Sequence, residues 1–399
     1  MVLILFLSGC NSVINNVSAE GIPSPTALQS LTAIASDTAP SDSASTPTAI
    51  PAPTDVMISP VTAVPAVDAN ALNPLTGLPP SDPMLLNRRP LAIKVAIFPR
   101  YMRPQSGLSL ADQAFEYYIE DGLTRFIAVF YGNDSEWVGP VRSGRYFDEN
   151  VQRMYHAYLV FKFADPRELG YFKGSDFSQF LLTPTIGRCP PFRFLPEREA
   201  TVEAYNNSYF DTVRWAECVA EGKLENNKPF LREGFFSDQP PLATLTGTKI
   251  STYYSVDSYN YWLYNSQDQQ YYRYQEISDT RDGKPESYEP VIDRVTNQHV
   301  HASNVVVILA YHAFNNPYDH ADQVYDIDLK GSGEAYVFRD GVGMPATWVR
   351  ANADQPLIFI KPDGTIIPMK RGVTFYEVMG TRSFVDQGGG EWNFHHDPP

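Results

Sequence analysis

The chain has 399 residues and a formal net charge of −15, a balance that excludes non-specific nucleic-acid binding, which needs a basic face. Beyond its first residues it has no run of the ~18 apolar residues that would span a membrane. Only 19% of residues are charged, and 24 tyrosines and 23 phenylalanines can build a large core, so the length points to two globular units.

The first predicted element is a targeting segment. An apolar run over 2–7 leads into Leu7-Ser8-Gly9-Cys10, a small-small-Cys ending that resembles the lipobox of bacterial lipoproteins. In that class the cysteine is acylated and becomes the new N-terminus. Several acyl chains hold firmly, because each buried CH₂ contributes about 0.8 kcal/mol. Residues 1–10 therefore read as signal peptide and lipobox, with Cys10 lipidated and the chain held on the extracytoplasmic face of a cell membrane. The bland alternative is a signal peptide that ends near an incidental cysteine. Residues 1–7 contain no Lys or Arg where a secretory signal carries a basic start, which leaves open a start upstream of Met1. Asn11 follows the cysteine, so there is no Asp-type inner-membrane retention signal.

Residues 11–72 form a low-complexity tract of Ser, Thr, Ala and Pro without aromatics, which reads as a disordered, partly polyproline-like tether. The first folded unit, an α/β domain over 73–245, opens with a buried strand at 90–97. Runs 114–119 and 125–131 flank Asp121-Gly122 and predict a hairpin, with a helix over 110–119 as the competing reading. A helix over 146–155, a buried strand over 157–163 and a helix over 201–221, stopped by Gly222, complete this unit. From about Ser251 the pattern turns to strands, predicting a β-rich domain over 246–385. Its strands fall at 253–256, 259–264, 270–276, 304–310, 325–329, 335–339, 357–360 and 366–369, with turns at Asp340-Gly341 and Asp363-Gly364. Residues 386–399, opening near Gly388-Gly389-Gly390, read as a flexible tail. The fold class is α+β, a layered α/β domain followed by a β-rich one.

An ordered series of motifs then narrows the reading. It comprises Asn73-Pro74-Leu75-Thr76-Gly77, Asn87-Arg88-Arg89-Pro90-Leu91-Ala92, 103–109, Gly122-Leu123-Thr124-Arg125-Phe126 and Gly139-Pro140-Val141-Arg142-Ser143-Gly144-Arg145. In the second half Ala302-Ser303-Asn304-Val305-Val306-Val307, Gly331-Ser332-Gly333-Glu334-Ala335 and Lys370-Arg371-Gly372-Val373-Thr374 continue it. Over roughly 73–380 the chain resembles the YerB-type lipoproteins of Gram-positive and related bacteria. That resemblance implies an exported lipoprotein of two domains with no established activity. The chain departs from the family at Lys162-Phe163-Ala164-Asp165-Pro166 and at Cys189-Pro190-Pro191-Phe192-Arg193, so a site built from those turns in relatives would be altered here.

The candidate chemistry rests on Arg103, Arg125, Arg142 and Arg145, several of them beside Gly and Pro turns. Guanidinium forks suit phosphate and carboxylate, so these four read as contacts to an anionic envelope ligand. The alternative is that they pair with Asp112, Glu116 and Glu120 and pin loops. A cluster of Tyr259, Tyr261, Trp262, Tyr264, Tyr271, Tyr272 and Tyr274 suits either a sugar-stacking face or plain hairpin stabilisation. His299 and His301 alternate on one strand face, with His312 and His320 beyond, yet no full ligand set accompanies them and no metal or cofactor is expected. His395-His396 reads as incidental. There is no Gly-x-Ser-x-Gly elbow, and Ser143 lacks an assignable base. Cys189 and Cys218 are compatible with a disulfide or with two reduced thiols. The expected role is non-catalytic binding or scaffolding, with a cell-wall polymer or wall-synthesis proteins as partners and the membrane reached through the N-terminal lipid. An enzyme working on an anionic substrate through the same arginines is the competing class.

Overall fold

Strands β1 (Leu91–Ala96), β2 (Gln113–Tyr118) and β3 (Thr124–Phe130) are buried at every position. A strand covered on both faces reads as an unbroken apolar run, not an alternation. The structure is a computed structural model that describes residues 68, 70–185, 191–243, 245–319 and 321–398. The lipobox with Cys10, most of the tether, Cys189 and His320 lie outside the described residues.

The predicted hairpin forms between β2 and β3, in register Gln113↔Val129 to Tyr118↔Thr124. Asp121 and Gly122 take positive φ of 53° and 74°, the backbone a tight hairpin turn demands. The Leu123 N–H closes the turn on the Glu120 carbonyl at 2.8 Å. The competing helix over 110–119 is replaced by β2 and a single 3-10 turn at Leu108–Leu110.

Helix α1 (Asp148–Tyr155) and strand β4 (Tyr158–Val160) fall inside their predicted ranges. Helix α2 (Pro166–Gly174) starts on a capping box, with the Asp165 carboxylate accepting from Arg167 N–H and Glu168 from Asp165 N–H. Strand β5 (Leu181–Leu182), then the pair β6 (Phe192–Arg193) and β7 (Tyr209–Phe210), lead to helix α3 (Trp215–Gly222). The helix expected over 201–221 is therefore confined to its last third. Its first part is held as a loop by buried amides: the Asn207 side chain bonds both the N–H and the C=O of Leu195. Lys223, in the left-handed conformation, ends α3 immediately after Gly222.

The second half is strands. They are β8 (Leu245–Thr246), β9 (Lys249–Ser255), β10 (Ser258–Asn265), β11 (Gln270–Glu276), β12 (Tyr288–Pro290), β13 (His301–Ala302) and β14 (Asn304–Phe314). Then come β15 (Tyr325–Asp328), β16 (Gly331–Arg339), β17 (Val342–Arg350), β18 (Ile358–Ile360), β19 (Thr374–Gly380), β20 (Phe384–Gly388) and β21 (Glu391–His395). The strand expected over 366–369 is absent. Only the isolated bridges Ile360↔Ile366 and Phe236↔Met369 form there, and Pro368 lacks the N–H a ladder needs.

The larger sheet runs β18-β17-β16-β14-β19-β2-β3-β1-β4-β5, with β15 on β14 and β8 on β17. The smaller runs β12-β11-β10-β9-β21-β20, with β13 on β11. Residues Val64–Pro399 form one compact unit, and the larger sheet joins its halves: β2 pairs in parallel with β19, Gln113 opposite Thr374. The residues predicted to be a flexible tail are the hairpin β20–β21, and β21 pairs in parallel with β9. That expectation followed the glycines and overlooked Trp392 and Phe394, which alternate on one strand face and are buried.

Side chains separate into two apolar layers. Leu91, Ile93 and Val95 of β1 join Val305, Val307, Trp262 and Phe394 between the two sheets. Ala92 joins Phe115, Tyr376, Val151 and Met154 on the opposite face, which α1 covers. The fold is α+β, with α1 and α2 on one face of the larger sheet, and α3 and the smaller sheet on the other.

Candidate functional site

The loop 139–147 carries Arg142 and Arg145 across the carboxyl ends of the parallel strands β1 and β4. Ligands of α/β sheets commonly lie at that end. Backbone bonds fix the loop there. Arg142 N–H donates to the Lys94 carbonyl at 3.1 Å, Lys162 N–H donates to the Arg142 carbonyl at 3.0 Å, and Gly144 N–H donates to the Phe163 carbonyl at 2.7 Å.

Three of the four expected arginines gather here. Arg125 pairs with Glu120 at 3.4 Å and donates to the Ser143 carbonyl at 3.1 Å. Arg145 forks onto the same Glu120, which the β2–β3 turn holds in place, and lies 3.8 Å from Glu168. Burial, then Arg145, brings Arg125 down to about 9. Burial would raise the Glu120 carboxyl, but Arg145 and Arg125 outweigh it and hold it below its ordinary value. Arg103 is the exception. It binds Glu276 at 2.5 Å and the Ile97 carbonyl at 3.1 Å, so it ties the 97–103 segment to β11 instead of joining the other three. For Arg103, Arg125 and Arg145, loop-pinning ion pairs are the observed arrangement.

Arg142 differs. Among the described residues it makes no ion pair. One terminal nitrogen donates to Asn206 Oδ1, and Nε is buried without a hydrogen-bond partner. Its guanidinium sits 5.7 Å from the Tyr205 ring centroid. Lys162 is similarly unneutralised: Nζ donates to the Ala204 carbonyl at 2.7 Å and stands 5.5 Å from both the Phe163 and Phe194 rings. Burial, then the charge of Arg142, lowers the Lys162 pKa, which places the two cations within each other's field. Phe163, Phe194 and Tyr205 are each more than 40% exposed. Two free cations thus stand among three open aromatic rings.

Lys162, Phe163, Phe194 and Tyr205 were not singled out from the sequence. A signal was present, since Lys162 and Phe163 belong to a stretch where the chain departs from its family, but nothing in one sequence says that such a turn adjoins Arg142.

Deeper in, Lys94 lies between Asp148, at 3.1 Å, and the Tyr117 hydroxyl and ring. Burial lowers Lys94 to about 7, and burial raises Glu168 to about 7. Both are at 0% exposure. Between the sheets Arg273 bridges Glu116 and Glu377, all fully buried, and Trp262 Nε1 donates to Glu377 at 2.8 Å.

The tyrosine cluster is part of the scaffold. Tyr259, Trp262 and Tyr271 are buried, while Tyr261 and Tyr274 stack at 4.6 Å with Tyr288 against Tyr261 on the outer face. His299 and His301 both contact Tyr272, and no group of three His, Cys, Asp or Glu able to hold a metal occurs among the described residues. His396 is not incidental: it is half-buried, 5.3 Å from His312, and accepts from Gly380 N–H. Cys218 is buried and disulfide-bonded.

This two-sheet α+β body, with a basic loop at its strand ends, has known counterparts. The chain belongs to the DUF3048 family of proteins of unknown function: the family's N-terminal domain matches residues 75–225 and its C-terminal domain residues 250–376. YerB of Bacillus subtilis strain 168, whose name describes it as a lipoprotein, is 27% identical over 309 residues, covering 73% of this chain and 81% of its own. The crystal structure of the YerB protein from Bacillus subtilis superposes with a TM-score of 0.63 at 23% identity, over 77% of this chain and 96% of that one.

Proposed function

We propose that this protein is a lipid-anchored envelope protein, held at Cys10 on the extracytoplasmic face of the cell membrane, whose folded body binds an anionic ligand without transforming it. The observation that carries the reading is the pairing of two unneutralised cations, Arg142 and Lys162, with the exposed rings of Phe163, Phe194 and Tyr205. A guanidinium with spare donors favours phosphate or carboxylate, and open rings favour a sugar or another flat group beside it. A wall polymer that alternates sugars with anionic groups has both features. The lipid anchor rests on Leu7-Ser8-Gly9-Cys10 and on a relative that carries the name of lipoprotein.

Catalysis is the weaker reading. A general acid or base must reach the bound substrate, and the nearby groups moved toward neutrality, Lys94 and Glu168, are sealed from solvent.

The test is thermal unfolding of the full chain with pyrophosphate, teichoic-type polymers and muropeptides, repeated with Arg142→Ala and Lys162→Ala. A ligand at about 100 times its Kd stabilises the fold by roughly 2.7 kcal/mol. Stabilisation that disappears in both variants and weakens with salt is the expected outcome. No stabilisation by any ligand, or stabilisation that both variants retain, overturns the reading.

A further inference from the structure

The far end of β14 and the short strand β15 form a two-stranded ribbon with one face turned to solvent. β15 reads Tyr325-Asp326-Ile327-Asp328, and strand alternation buries Tyr325 and Ile327 while both aspartates point outward. Tyr311 pairs with Asp328 and Ala313 with Asp326, so these four side chains share the outer face. Tyr311 is 63% exposed there. Three hollows of about 340, 300 and 310 Å³ have Tyr311 as a common wall, each within the roughly 300–1,000 Å³ usual for small-molecule sites. The first extends toward Thr381, and the third follows β16 past Ser332 and Glu334. The second lies between the ribbon and the helices, walled by Tyr146 and Tyr171, whose rings meet edge to face at 5.4 Å.

The walls present acceptors and rings. Asp326, Asp328 and Glu334 make no ion pair among the described residues. Asp328 takes one bond from Lys330 N–H at 2.8 Å, and Glu334 takes the Tyr336 hydroxyl, which leaves each of these two carboxylates a free oxygen. His312 adds a neutral acceptor to the first hollow. It is 4% exposed, its Nδ1–H is on the Ala310 carbonyl, and its Nε2 has no hydrogen-bond partner. Most cations nearby are occupied. Arg153 is held by Glu149 at 2.6 Å and Asp176 at 2.7 Å, Arg382 is held by Asp397 at 3.0 Å, and Arg350 gives its donors to Asn150 and to the carbonyls of Leu329 and Ala353. Lys330 makes no ion pair among the described residues. Three unpaired carboxylates against one unpaired ammonium disfavour a phosphate or carboxylate ligand. Sugar hydroxyls can donate to carboxylates and to an imidazole nitrogen, and the apolar face of a sugar ring can cover an exposed tyrosine. Three hollows of similar size around one ring suit a repeating chain better than a single compact molecule.

We infer that this groove binds a glycan strand that carries no negative charge where it is held, with one sugar ring on Tyr311 and hydroxyls donating to Asp326 and Asp328. Glycan binding here is independent of ligand binding at Arg142.

The experiment is a calorimetric titration of the full chain carrying Cys10→Ser, which cannot be acylated there, with two neutral tetrasaccharides, chitotetraose and cellotetraose, and with tetralysine. Saturable binding of at least one tetrasaccharide, unchanged by added salt, is expected. Tyr311→Ala should weaken it about tenfold, and Tyr311→Phe, which keeps the ring, should retain it. Asp326→Ala combined with Asp328→Ala should abolish it, and Arg142→Ala should leave it unchanged. Tyr311, Asp326 and Asp328 are exposed, so their variants keep the fold and the comparison stays decisive. Binding of neither tetrasaccharide, or sugar binding that both Tyr311→Ala and the double aspartate variant retain, overturns the proposal. Binding of tetralysine in place of the sugars overturns it in favour of a cationic partner. Loss of sugar binding in Arg142→Ala moves the sugar to the basic loop and overturns the groove.

Discussion

At the scale of single residues, the described body places ionisable groups where water does not reach, and their titration should be visible in stability. His312 is buried with its Nδ1–H on the Ala310 carbonyl at 2.9 Å, and burial lowers its pKa to about 4. Burial and His312 together lower His396 to about 3. Unfolded, both histidines titrate near ~6.5. From about pH 4 to 6.5 the unfolded chain therefore binds more protons, so this contribution grows as pH rises and is lost as pH falls. For His312 alone it amounts to about 3 kcal/mol between those limits. The carboxyls act oppositely: burial raises Asp112 to about 6, so folding takes up its proton and its contribution falls as pH rises, and burial pushes Glu116 in the same direction against the pull of Arg273. The net slope mixes both signs, and only a variant isolates one. Urea unfolding of His312→Gln at pH 4.5 and pH 7 should show a shallower rise than the parent chain, and an identical rise would refute the assignment.

At the scale of elements, the last hairpin matters most. Trp392 donates its indole N–H to the Thr246 carbonyl at 2.8 Å and lies against Phe338, so β21 is part of the smaller sheet's core face. Trp392→Ala should cost about 3–5 kcal/mol in urea unfolding, the usual range for emptying a large buried ring site. A cost below about 1 kcal/mol would show that the hairpin is dispensable. This element also marks where the sequence stops being legible. The hairpin at Asp121-Gly122 could be read because its turn chemistry is local, and β1 because a doubly covered strand is apolar at every position but Lys94. β19 and β21 escaped notice because their partners, β14 and β2 for one and β9 for the other, are distant in sequence. The same limit applied to the site. Arg142, Arg125 and Arg145 stood out by their motifs, whereas Lys162 and Tyr205 become neighbours of Arg142 only through the fold.

At the scale of the whole molecule, the two sheets are joined by charge as well as by apolar contact. Arg273 of β11 reaches across to Glu116 of β2 and Glu377 of β19, and so links both family-matched regions. Arg273→Met would leave two carboxylates buried without their cation, a loss of about 3–5 kcal/mol. Glu116→Gln and Glu377→Gln in the same chain should recover much of it, because the uncompensated charges are then gone. Failure of the triple variant to recover stability would locate the loss in packing instead. Residues 374–380 occupy the middle of the larger sheet, with β14 on one side and β2 on the other, although they come long after β2 in the chain. Chains are built from the N-terminus, so β2 waits beside an open seam until β19 has been made. A chain cut short before β19 would lack the middle of its own larger sheet, so the order of strands makes completion of the first half depend on the arrival of the second.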